Sequence, residues 1–375
     1  MKPIRLILSI LLILSIRPVL CQDQDIDWNR ARVLHQRAQK GEKLSPEDQA
    51  YYDKARLALA ARNRGAGAAP TPKDSTGLVP LADMGKTEYK GESGGLYGGG
   101  SNEPPAAHLA AARAEAAKIR PLDADGRPAK DGKVVLLSIG MSNTTQEFSM
   151  FKQTADSDSR KSPNLAIVDG AQGGKAAEEW LSPDAPPWGV AEDRLRAASV
   201  TNKQVQAVWV KQALIQQGRF GEFPAHARRL ESDLVTILQN AKQRFPNLRI
   251  AYLSSRIYGG YASTPLNPEP YAYEGAFSVR WVIQRQVKGD GQLNYDPAKG
   301  TVKSPIVLWG PYLWSDGIKP RKSDRLVWAH EDLNPGDGTH PSQSGRKKVA
   351  ELLLKFFTTD ATASPWFVRP QSAAR

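Results

Sequence analysis

The chain has 375 residues, 40% of them hydrophobic and 24% charged, with a formal net charge of +12. That is the composition of a globular chain long enough to bury one large core or two modest ones. The basic residues are scattered, and no Lys/Arg run interleaved with aromatics stands out, so the charge reads as solvated faces rather than a nucleic-acid surface.

The N-terminus has the layout of a secretory signal peptide. Lys2 and Arg5 precede the apolar run Leu6–Leu14, which is too short to span a bilayer comfortably, and Val19 and Cys21 are small enough to sit before a cut. Residues 1–21 are therefore expected to be removed and the protein exported, to a periplasm or outside the cell. A lipid anchor at Cys21 is the alternative, against which stands the bulk of Leu20. Cys21 is the single cysteine, so no internal disulfide framework is expected. No later segment is long and apolar enough to cross a membrane.

Residues 22–63 read as a helical hairpin, the first helix running roughly from Asp27 to Gln39. The second opens at Ser45-Pro46-Glu47-Asp48, where Ser45 can cap, Pro46 suits the first helical position and the acids suit the positive end. Residues 64–132 read as a connector rich in Gly and Pro, with one Ala-rich helix from about Pro105 to Ile119. The connector up to Pro104 holds little to build a core. Gly91-Glu92-Ser93-Gly94-Gly95 matches a nucleophile-elbow pattern there, but it lacks the buried strand before it and the helix after it that the motif needs.

From Lys133 onward, strands and helices alternate. Val134–Leu137, Leu165–Val168, Val205–Val210, Arg249–Leu253 and Ile306–Trp309 read as buried strands. Helices are expected over Gln146–Lys152, Pro224–Phe245, Glu274–Val287 and Ser342–Phe357. This alternation predicts an α/β fold, a parallel sheet with helices on both faces, whose ligands bind beyond the carboxyl ends of the strands. Ser142, the Gly170–Gly174 loop, Lys211–Gln212, Ser254–Tyr261 and Gly310–Trp314 should then share one rim.

Ser142 stands where the first strand hands over to a helix, a good place for a nucleophile with backbone N–H groups nearby. Of the five histidines, His340 alone opens a helix with an acid three residues before it and a proline after it, in Asp337-Gly338-Thr339-His340-Pro341. Asp337 can reach one ring nitrogen there, leaving the other to take the proton of Ser142. Gly170–Gly174 can supply an oxyanion N–H. After the third strand either Lys211 or Gln212 can offer a side-chain donor, and strand alternation allows only one of them to do so.

With these residues together, the sequence resembles the SGNH (GDSL-like) hydrolase superfamily, in its carbohydrate-esterase-like branch. Gly140-Met141-Ser142-Asn143 looks like the first block, Gly173 like the oxyanion glycine of the second, and Asp337–His340 like the last. The third block departs from the family: Val210-Lys211-Gln212-Ala213 stands where a Gly-x-Asn-Asp loop is expected. The resemblance covers about residues 133–358 and leaves 359–375 as a tail. It implies a flavodoxin-like three-layer α/β/α sandwich and ester hydrolysis without metal or other cofactor. Ser142 would be the nucleophile, His340 the base and then acid, and Asp337 its orienter, with Gly173 and Gln212 on the oxyanion. The expected partner is an acylated saccharide or another small ester, with Trp180, Tyr258 and Trp314 (and, beside them, Trp188 and Tyr261) placed to stack on sugar faces. An inactive carbohydrate-binding or scaffold protein on the same fold is the alternative. Glu178-Glu179 and Glu192-Asp193 read as solvated helix faces.

Overall fold

The computed structural model describes residues 26–39, 42, 44–64 and 71–369. The signal segment, Cys21 and the last six residues lie outside these. Among the described residues no helix is long and apolar enough to cross a membrane. The chain divides into two compact units, Met1–Ala68 and Ala69–Arg375.

In the first unit, α1 (Trp28–Gln39) and α2 (Pro46–Arg64) form the hairpin. The Ser45 hydroxyl accepts from the Asp48 N–H, which caps α2 at its expected start. Ile26, Ala31 and Ala55 make the small apolar centre, with Trp28 and Tyr51 packed on it.

The second unit is a three-layer α/β/α sandwich on a five-stranded parallel sheet. Its strands are β1 (Val134–Gly140), β2 (Leu165–Val168), β3 (Val205–Lys211), β4 (Ile250–Ser254) and β5 (Ile306–Trp309), lying in the order β2-β1-β3-β4-β5. All seven residues of β1 and of β3 are buried, as a strand covered by helices on both faces requires. The β1–β3 ladder runs to Ile139↔Val210 and Gly140↔Lys211, and Lys211 in turn lies level with Ser254 of β4. The strand order reverses at β1, so the crevice for a ligand falls beyond the carboxyl ends of β1 and β3.

The covering helices are α3 (Ala106–Ala116), α4 (Ser142–Asp156), α5 (Pro186–Ala197), α6 (Ala225–Arg244), α7 (Tyr271–Val287) and α8 (Gln343–Thr359). α4 packs beside α8, and α6 beside α7. β2 and β5 have the bounds their apolar runs predict, whereas α4 starts four residues earlier than Gln146, at Ser142 itself.

Two segments differ from the sequence expectation. Residues 71–104 form a belt across the unit rather than a loose connector. Leu81 is wholly buried, and the Trp309 indole donates to the Leu96 carbonyl. Asp316 accepts from the N–H groups of Thr76 and Gly77 and from the hydroxyls of Ser75 and Thr76. The Ser93 of the decoy motif sits in a two-residue antiparallel ladder, Glu88–Tyr89 with Glu92–Ser93, where its hydroxyl accepts from the Gly99 N–H. At the other end, the segment after α8 turns back into the core as α9 (Ser364–Phe367), where Phe367 stacks on Phe357 and Phe151. Burying such a ring is worth about 2–3 kcal/mol, and buried Trp366 and Ala363 add to it.

Candidate active site

The site grows from the close meeting of β1, β3 and α4. Gly140 ends β1 where an added Cβ would stand 2.4 Å from both the Lys211 carbonyl oxygen and the Thr144 hydroxyl, so only glycine admits this approach. The Thr144 hydroxyl donates to that carbonyl at 2.7 Å and accepts from the Met141 N–H at 3.3 Å. Ser142 is thereby presented as the first residue of α4, where helix N–H groups lack intrahelical partners and the dipole favours negative charge. The Asp169 carboxylate, just past β2, accepts from Ser138 of β1 and from Thr145 and Ser149 of α4. Burial raises its pKa, and the three hydroxyls oppose that rise. It pins the first turns of α4 to the sheet, a role the sequence did not reveal.

The structure brings the predicted Ser142, His340 and Asp337 into one chain of hydrogen bonds. Ser142 Oγ lies 2.7 Å from His340 Nε2, and His340 Nδ1 lies 2.6 Å from Asp337 Oδ2. Asp337 Oδ1 accepts from the N–H groups of Thr339 and His340, at 2.8 and 3.0 Å. Burial pushes the Asp337 carboxyl up, but the His340 ring and the two N–H groups outweigh it and hold the pKa below the usual carboxylate range. A group so depressed adds stability that is present above its unfolded pKa and lost as pH falls through its folded one. Gly338 makes the turn with φ +60°, and an added Cβ would come within 1.8 Å of the Tyr261 carbonyl oxygen. Ser263 N–H donates to the Asp337 carbonyl, and the Thr339 hydroxyl to that of Leu266, so the loop after β4 supports the loop that carries His340.

Around the nucleophile, Gln172 N–H donates to the Gly140 carbonyl at 3.1 Å and fastens the β2 loop beside the end of β1. Gly173 follows, exposed, with open space where a Cβ would be. Packing treats the two candidates after β3 differently. Lys211 is fully buried, with its ammonium 2.5 Å from both oxygens of Glu147 on α4. Loss of solvation brings its pKa down to about 8, against the pull of Glu147. Its charge is thus spent beneath the sheet's edge. Gln212, the next residue, is 3% exposed, and neither its amide nitrogen nor its oxygen has a hydrogen-bond partner among the described residues. An orphaned buried amide calls for an explanation, and a transient acceptor is one.

The expected sugar-stacking residues need correction. Trp180, Tyr258 and Trp314 are wholly buried, as is Trp188, and Tyr261 is nearly so. Trp180 lies edge-on to Trp188 and donates to the Lys175 carbonyl. Trp314 donates to Glu269, and the Tyr258 hydroxyl to the Lys73 carbonyl of the belt. Their ring faces are occupied by protein, so they support the rim rather than line it. Glu178 and Glu192, read as solvated, are paired to Arg219 and Arg244.

No family model and no curated protein matches this chain. In structure it is similar to a Bacteroides fragilis protein assigned as an acylhydrolase, at 16% identity and a TM-score of 0.32, over 68% of this chain and 96% of the other. It is similar also to the salicylyl-acyltransferase SsfX3 from a tetracycline biosynthetic pathway, at 14% identity and 0.33, over 63% of this chain and 58% of that one. An extracellular lipase from Streptomyces rimosus aligns at 11% identity and 0.29, over 60% of this chain and all of the other. Likenesses this distant leave the chemistry to be read from the site itself.

Proposed function

We propose that the chain is an exported serine ester hydrolase that removes O-acetyl or similar acyl groups, with an acylated saccharide as substrate. The observation that carries the ester chemistry is the unbroken hydrogen-bond chain from Ser142 through His340 to Asp337. Export rests on the layout of residues 1–21, and the saccharide on the resemblance of the first block to carbohydrate esterases.

His340 Nε2 takes the proton as Ser142 Oγ attacks the ester carbonyl. The oxyanion is met by the Ser142 and Gly173 N–H groups and the Gln212 amide. As the C–O bond breaks, the imidazolium returns the proton to the leaving alcohol. Water, with His340 again as base, then releases the acid and restores the serine. Asp337 stays ionised and holds the ring.

The test is the intact mass of the protein after treatment with a fluorophosphonate, beside Ser142→Ala and His340→Ala. Labelling of the wild type alone, at one site, is the expected result; a folded wild type that stays unlabelled would overturn the hydrolase and leave a binding protein on this fold. Gln212→Ala is expected to lower kcat on p-nitrophenyl acetate by about 10²–10³-fold, the scale of one oxyanion donor. A loss below about threefold would remove Gln212 from that role.

A further inference from the structure

Arg256, just past the end of β4, is a buried cation for which the reaction as described has no use. It is 2% exposed, its Nε has no partner among the described residues, and its Nη2 donates to the Thr339 carbonyl at 3.2 Å. Burying a guanidinium that makes so few hydrogen bonds is costly, and the one bond named here goes to the loop that carries His340. The Thr339 carbonyl also accepts from Asn143 Nδ2 at 2.9 Å, and Asn143 is itself 1% exposed.

The peptide unit between Thr339 and His340 is therefore gripped at both ends. Its N–H is held by Asp337 Oδ1, and its C=O by Asn143 and Arg256. That plane sets the direction in which the His340 side chain leaves the backbone. Asn143 is the neighbour of Ser142 on α4, so one of the two grips ties the nucleophile's helix directly to the base's loop. Arg256 ties the same carbonyl to the sheet. Its charge is met by Asp337 on the loop, by Glu147 on α4 and by Glu269 ahead of α7, with Lys211 on β3 and Arg346 on α8 also facing Glu147.

We propose that Arg256 and Asn143 are positioning residues for the triad, which together clamp the Thr339 carbonyl and so fix the direction in which His340 faces Ser142. The proposal rests on the hydrolase reading above. Neither side chain touches the reacting atoms; both act through the peptide they hold. A misplacement of about 1 Å at a base costs on the order of a hundredfold in rate, so the clamp has a measurable consequence.

The experiment compares wild type, Arg256→Met, Arg256→Lys, Asn143→Ala and the Arg256→Met/Asn143→Ala double variant. It reads the rate of fluorophosphonate labelling by intact mass, kcat and KM on p-nitrophenyl acetate, and cooperative thermal unfolding. Each removal is expected to slow labelling and kcat about 10–100-fold with KM within about twofold. Arg256→Lys, which keeps a charged donor near the carbonyl, recovers most of that loss. Because the two residues grip one atom, the double variant loses less than the product of the single losses. A folded Arg256→Met and a folded Asn143→Ala that both label at the wild-type rate overturn the clamp. If Arg256→Met fails to fold, Asn143→Ala and Arg256→Lys decide in the same terms. An unlabelled wild type sinks the hydrolase reading and the clamp with it, whereas a labelled wild type with indifferent variants sinks the clamp alone.

Discussion

Asp337→Asn is expected to cut turnover by about 10⁴-fold with the fold intact, and this structure dictates the reason. Asp337 Oδ1 accepts from two backbone N–H groups, those of Thr339 and His340. An asparagine must put its oxygen there, since its amide nitrogen has no lone pair to offer. The amide NH₂ is then turned on His340 Nδ1, which has to become an acceptor. The ring's proton moves to Nε2, where it faces Ser142 Oγ, and the imidazole can no longer take the serine proton. Turnover of p-nitrophenyl acetate at about pH 7.5 measures the loss. A variant within about tenfold of wild type would show that Asp337 does not set the tautomer.

The second large effect falls on stability. Lys211→Met is expected to destabilise the fold by about 3–5 kcal/mol, because it leaves the Glu147 carboxylate fully buried without its hydrogen-bonded cation, and Arg256 and Arg346 offset its charge only from a distance. The cost is that of a desolvated charge left without the hydrogen bonds its partner made. Replacing both partners in Lys211→Met/Glu147→Leu removes both bonded charges at similar volume and should recover most of that loss, the remainder reflecting the carboxylate that the buried Arg256 no longer faces. Urea unfolding at about pH 7.5 separates the cases. A single variant as stable as wild type there would mean that the pair is not a sealed one.

The sheet and the meeting of Ser142, His340 and Asp337 were legible in the sequence for one physical reason. Strands buried on both faces, such as Leu165–Val168 and Ile306–Trp309, are written as unbroken apolar runs, and the ends of such runs mark the rim where Ser142 stands. His340 was legible because its partner acid is local. What was lost lacked a period. The belt's buried residues Leu81 and Met84 lie amid Gly and Pro with no helical or strand spacing, so nothing local announces their burial. The tryptophans near the strand ends looked like rim residues because position along a strand says where a loop begins but not which way a ring turns. Arg256 was overlooked in Tyr252-Leu253-Ser254-Ser255-Arg256-Ile257-Tyr258, although a cation inside a run that is otherwise apolar and small was a signal there to be read. Strand alternation posed the Lys211 or Gln212 alternative, and the position of Glu147 on α4, which pairs with Lys211, is not written in the local sequence.

The belt also has a consequence for how the molecule is made. Its hydrogen bonds reach far along the chain: Tyr89 to Glu274, Leu96 to Trp309, and Thr76 to Asp316 across 240 residues. A ribosome delivers the belt first and its partners last. While β1 to β3 are being synthesised, residues 71–104 lack these partners, and Leu81 and Met84 remain on offer to any other apolar surface. Complete docking of the belt therefore waits until Asp316 has emerged, and the loops it closes are long ones. The loops it braces at the rim, and with them the seat of His340, reach their working arrangement only when the earliest-made stretch of this unit finds some of the last-made.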